Sequence, residues 1–239
     1  MLSNKPNVII FGAPRSGTKL LANIMEQQGY HNFGEFFEVV NSEIIYEDLP
    51  KATRLSREIQ FRNFSSKKIY PSMTEDLYNR ALLTKDRINI FQRYKHITPT
   101  TVTIFGFTVI HLYPELLTLF DNRVFLCIRR KNILDQLLSG MITLHFKNWD
   151  DEYKSRNLLL DLNDFSNRYF DIKKIERIQN HLIEEDRGRL IDFDKLITGT
   201  EDLGFGYNVT TTDQHIDLEN LIINIDEVRE RFNYLESIY

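Results

Sequence analysis

Cysteine is almost missing from this chain: Cys127 is the only one among 239 residues. An internal disulfide is excluded, and a lone thiol in an apolar run suits a reducing compartment. His31, His96, His145, His181 and His215 make no ligand-type pair at helical spacing. With one cysteine beside them, no metal-site signature exists, and no metal is expected. Long apolar runs are lacking too. No stretch can span a bilayer, and the first residues lack the charged-then-apolar pattern of a signal peptide. These absences lead to the expectation of a cytoplasmic protein without a transmembrane segment. Positive charge is in deficit: 30 Lys and Arg stand against 34 Asp and Glu, a net charge of −4. A general nucleic-acid-binding role therefore has no electrostatic support. Internal repeats and low-complexity segments are absent, and the length suits one α/β core without a marked split into two domains.

What is present concentrates in Asn7 to Met25, NVIIFGAPRSGTKLLANIM. Val8 to Phe11 form the apolar run of a buried parallel strand, and Gly12 to Gly17 form a tight turn. Leu20, Leu21, Ile24 and Met25 then repeat at the spacing of one helical face. Strand, glycine-bearing loop and helix start make an anion-binding geometry, because backbone N–H groups and the positive end of the helix dipole converge on one point. Arg15, Ser16, Thr18 and Lys19 add two cations and two hydroxyls, so the expected guest is a phosphate or sulfate. A cation at a helix start also calls for a compensating anion. Gly12 and Gly17 have the separation of a nucleotide-triphosphate loop, but Thr18 precedes Lys19 where that loop has Lys before Ser or Thr. The closely packed glycines of a dinucleotide fingerprint are absent.

A second cationic turn follows downstream. Val124 to Ile128 read as another buried strand, Arg129, Arg130 and Lys131 as its charged end, and Asn132 as the cap of a helix through Ile133, Leu134, Leu137, Leu138 and Met141. Three cations thus reach the same sheet edge as the first loop, which suits a second phosphate. Ser139, two turns into the helix, completes a clamp if it faces the loop. A kinase would be expected to end such a strand with an acid for magnesium, and this one ends in arginines.

Pro14-Arg15-Ser16-Gly17-Thr18 resembles the 5′-phosphosulfate loop of sulfotransferases that use 3′-phosphoadenosine 5′-phosphosulfate (PAPS), with Lys19 in place of a second Thr. Gly34-Glu35-Phe36-Phe37 is similar to a segment of bacterial, trehalose-type members of that family, in which the Glu is proposed as the base. Arg129, Arg130, Gln136 and Ser139 resemble the family's 3′-phosphate segment, and the register leaves open which arginine holds the phosphate. The residues speak for Glu35 as well, since a carboxylate among phenylalanines loses water and becomes a better general base. Gly106 to His111 is similar to a strand of the same enzymes, with Thr108 where they carry Lys. His111, at the end of the Thr100 to His111 strand, is a second candidate base.

Between these stretches, Ser42 to Thr98 carries eleven Lys or Arg against seven Asp or Glu. It reads as a helical insertion over the site, with Arg54, Arg57, Arg62, Lys67 and Lys68 as cations without assigned roles. Asp161 to Glu185 reads as helix, and Arg189 to Leu196 as a last strand and helix start, similar to the Tyr-Glu-Asp-Leu segment of sulfotransferases. Thr200 to Asp217 reads as a loop, and Leu221 to Tyr239 as a closing helix with Ile225, Val228, Phe232 and Leu235 on one face.

The expected fold is a three-layer α/β domain over residues 1–239, with a mostly parallel central sheet and a P-loop-like anion loop, as in sulfotransferases and P-loop NTPases. The resemblance implies in-line sulfuryl transfer from PAPS to a hydroxyl of a small-molecule, carbohydrate or glycolipid acceptor, leaving 3′-phosphoadenosine 5′-phosphate (PAP). Pro14 to Lys19 would hold the 5′-phosphosulfate, Arg15 and Lys19 would meet the developing charge, and Arg129, Arg130 and Ser139 would hold the 3′-phosphate. Two rivals are a P-loop small-molecule kinase and a non-catalytic nucleotide-binding protein of the same descent.

Overall fold

In the computed structural model, the residues described are 5–35, 100–105, 120, 122–146, 158–207, 209 and 218–239, with side chains in 122–146 described to 143. Five strands are defined among them: β1 (Asn7–Phe11), β2 (His31–Gly34), β3 (Thr101–Phe105), β4 (Arg123–Arg129) and β5 (Gly188–Asp192). They form one sheet in the order β2-β3-β1-β4-β5, and every neighbouring pair is parallel. The helices are α1 (Thr18–Gln27), α2 (Ile133–Phe146), α3 (Leu162–Glu184), α4 (Phe193–Ile197) and α5 (Ile225–Ile238).

The apolar runs follow from this architecture, because a parallel sheet covered on both faces has no solvent side. Along β1, Val8 and Ile10 pack with Leu21, Ala22, Ile24 and Met25 of α1. Ile9 and Phe11 point the other way, into the cluster built by α2, α3 and α5. Strand β4 alternates in step: Leu126 and Ile128 face α1, and Phe125 and Cys127 face α3. Asp161 caps α3 by accepting from the N–H groups of Asn163 and Asp164 at 2.7 and 3.3 Å. Asp192 caps α4 in the same way.

Strand β2 was not expected. It pairs with β3 through an irregular register between Asn32 and Gly34, where Asn32 Oδ1 accepts from the Gly34 N–H at 2.8 Å. Such a bulge bends an edge strand and re-aims the residue after it. That residue is Glu35. Among the described residues no helix is long and apolar enough to cross a membrane. The Ser42 to Thr98 insertion, His111 with Gly106 and Thr108, and most of the loop after Asn208 lie outside the described residues.

Candidate functional site

Strand order decides where the loops meet. The chain leaves β1 for β2 on one side of the sheet and leaves β4 for β5 on the other, so the adjacent ends of β1 and β4 form the topological switch point. Crevices at the carboxyl ends of such strands are where α/β sheets bind ligands. The two stretches singled out above, Gly12 to Lys19 and Arg129 to Lys131, both start there.

The first loop is held tightly. The Ser16 N–H donates to the Ala13 carbonyl at 3.1 Å, and Arg15 and Gly17 take φ of 65° and 94°. For Arg15 the left-handed conformation costs about 1–2 kcal/mol, so the surroundings must impose it. Gln136 Nε2 donates to the Pro14 carbonyl at 2.8 Å, and Arg15 Nε donates to Ser139 Oγ at 3.0 Å. Both partners lie on α2, one helix after the second cationic turn. Gly17 must be glycine twice over, since a Cβ there would lie 2.4 Å from the Phe193 ring. A Cβ on Gly12 would lie 2.5 Å from Ser16 Oγ.

Several donors converge at this loop. The N–H groups of Gly17, Thr18, Lys19 and Leu20 have no acceptor among the described residues, the usual state of a first helical turn. Ser16 is 1% exposed, and its Oγ has no hydrogen-bond partner among the described residues. A buried hydroxyl without a partner is costly in a folded chain, and a bound oxyanion would satisfy it.

Lys19 and Glu35 come together as an ion pair, Nζ to Oε2 3.4 Å. The anion that compensates a cation at the start of α1 is thus supplied by the chain, through the bulge of β2. The aromatic setting expected for Glu35 rests on Phe36 and Phe37, which lie outside the described residues.

The two arginines at the end of β4 separate by strand alternation. Arg129 continues the Phe125 and Cys127 side and lies against α3, donating to Gln179 Oε1 (2.6 Å), the Glu176 carbonyl (2.8 Å) and Asn180 Oδ1 (2.6 Å). Arg130 continues the Leu126 and Ile128 side. Its guanidinium stacks 5.2 Å from the Phe193 ring centroid, the same ring that covers Gly17, and approaches Asp135 at 3.6 Å. Lys131 turns away to Asp192 at 2.9 Å. Burial pulls the Asp192 carboxyl upward, but hydrogen bonds from Lys131, Lys195 and Asp194 outweigh it and hold the group below the usual range.

The sequence reading had no role for Gln179. It is 1% exposed on α3, and its Nε2 donates to the carbonyls of Phe11 (2.8 Å) and Ile128 (3.1 Å) while its Oε1 accepts from Arg129. A signal existed. Phe165, Tyr169, Ile172, Ile175, Gln179 and Leu182 run at helical spacing along the buried side of α3, and an amide in such a stripe must find buried partners. No protein-family model matches this chain, and no curated protein matches it.

Proposed function

We propose that this chain is a PAPS-dependent sulfotransferase, similar to the bacterial carbohydrate and glycolipid type, acting on a hydroxyl of a small-molecule, carbohydrate or glycolipid acceptor. The observation that carries the reading is the 3.0 Å hydrogen bond from Arg15 to Ser139. It joins the loop expected at the 5′-phosphosulfate to the helix expected at the 3′-phosphate, at the switch point of the sheet. The partnerless Ser16 hydroxyl and the N–H groups of Gly17 to Leu20 fit an oxyanion ligand there. A sulfotransferase and P-loop-like fold accords with the parallel sheet and with the loop after its central strand.

PAPS would supply the sulfuryl group on a phosphate leaving group. The chain's own part is positioning and charge. The Pro14 to Thr18 loop wraps the anion through the N–H groups of Gly17 and Thr18 and the hydroxyls of Ser16 and Thr18, and Arg15 donates to the oxygens on which charge builds. Lys19, 71% exposed, can swing from Glu35 toward the same oxygens. Glu35 then accepts the acceptor's hydroxyl proton, with His111 the second candidate base. Arg130 and Ser139 are assigned to the 3′-phosphate. Arg129 lends charge from its seat on α3.

Calorimetry with PAP, adenosine 5′-phosphate and magnesium ATP tests this reading. PAP should bind more tightly than adenosine 5′-phosphate, and Arg130→Ala should remove about 1.5–3 kcal/mol of PAP affinity, the worth of a charged hydrogen bond, with little effect on adenosine 5′-phosphate. Magnesium ATP binding that ignores a 3′-phosphate would place the protein with the small-molecule kinases instead.

A further inference from the structure

Both anion subsites hang from strand ends, and the β1–β4 ladder stops at Phe11 and Cys127. Past that point no ladder pairing joins the first loop to the end of β4. Gln179 occupies this gap. Its two amide hydrogens bridge the carbonyl of Phe11, the last residue of β1, and that of Ile128, next to the end of β4. Its oxygen takes Arg129 Nε at 2.6 Å. The amide orientation is dictated by its partners, since two carbonyls can only accept and a guanidinium can only donate. Gln179 also sits within a 23-residue helix capped by Asp161, so the bridge is anchored to a long rigid element.

We infer that Gln179 is a positioning residue that sets the spacing between the Pro14–Lys19 loop and Arg130 for a nucleotide carrying two phosphates; the inference rests on the reading above. A ligand with two anionic groups on one scaffold gains from both only when the receptor holds them at the matching distance. Loosening that distance costs the doubly charged ligand and spares ligands that use one subsite. Gln179 touches neither phosphate, so its effect lies in the difference between ligands.

The test compares calorimetric binding of PAP, adenosine 5′-phosphate and adenosine 3′-phosphate to the wild-type chain, Gln179→Met and Gln179→Glu. Methionine removes the whole bridge; glutamate keeps the acceptor for Arg129 and loses both donors. PAP affinity should fall about tenfold or more in each variant, and either monophosphate by less than about threefold. An equal loss for all three ligands, or no loss for PAP, overturns the inference and leaves the sulfotransferase reading standing. A wild-type chain that binds PAP no more tightly than adenosine 5′-phosphate overturns the reading, and the inference with it. Thermal melts accompany the titrations. If Gln179→Met does not fold, Gln179→Glu decides, and failure of both to fold overturns the inference by making Gln179 a requirement of the fold.

Discussion

Lys19 occupies the first turn of α1, where a cation opposes the helix dipole at a cost of about 0.3–1 kcal/mol. Glu35 offsets that cost, and the pair links the Gly12–Lys19 loop to the candidate base at 3.4 Å. Lys19 is mostly in water, and exposed pairs contribute about 0–1 kcal/mol. Function and stability should therefore separate. Glu35→Gln should lower turnover by about 10²–10⁴, the range of general base catalysis, and shift the free energy of unfolding by less than about 1 kcal/mol. Turnover on a proven acceptor and a urea unfolding curve check both halves. Unchanged turnover would remove Glu35 from the mechanism.

At the scale of elements, α3 shows how local rules carry long-range geometry. Asp161 accepts two N–H groups at its start, and replacing such a cap costs about 0.5–2 kcal/mol. Asp161→Ala should lower the free energy of unfolding by that amount, read from urea unfolding curves, and leave PAP affinity unchanged, because the cap lies more than four turns from Gln179; coupled losses would contradict this. Most elements could be read from periodicity. α1, α2 and α3 show apolar residues at a period near 3.6, β1 and β4 show the unbroken apolar runs of strands covered on both faces, and buried contacts reward both patterns. β2 could not be read, since His31 to Gly34 offers one buried residue, Phe33, and exists through pairing with a strand some seventy residues later. The choice between Arg129 and Arg130 stayed open in sequence although alternation settles which face each takes, because nothing local says which face carries the loop. The role of Gln179 was hidden for a related reason: two of its three partners are backbone carbonyls, which every sequence contains.

Across the whole molecule, α5 is held to α3 by apolar contacts and one polar cluster. Val228 and Leu235 are buried, the Tyr169 hydroxyl donates to Glu236 Oε1 at 2.6 Å, and Lys173 lies 3.3 Å from the same carboxylate. The Tyr169 hydrogen bond, followed by Lys173, holds Glu236 below its ordinary 4.5 against the upward pull of burial. A carboxyl lowered by folding stabilises the native state above its unfolded pKa, and that contribution disappears as pH falls through the folded value. The stability advantage of the wild type over Glu236→Gln should shrink between about pH 5 and pH 3, followed by urea midpoints. A constant difference across that window would exclude the linkage.

The position of β3 bears on how the chain is made. β1 and β2 belong to one strand-helix-strand unit, yet they do not pair, because β3 lies between them and contacts Asn7 from 94 residues away. During synthesis at about 5–20 residues per second, β1 emerges roughly 5–20 s before either of its neighbours. For that interval the apolar segment Val8 to Phe11 has no sheet partner to cover it, and a chaperone that recognises apolar extended segments would find it exposed.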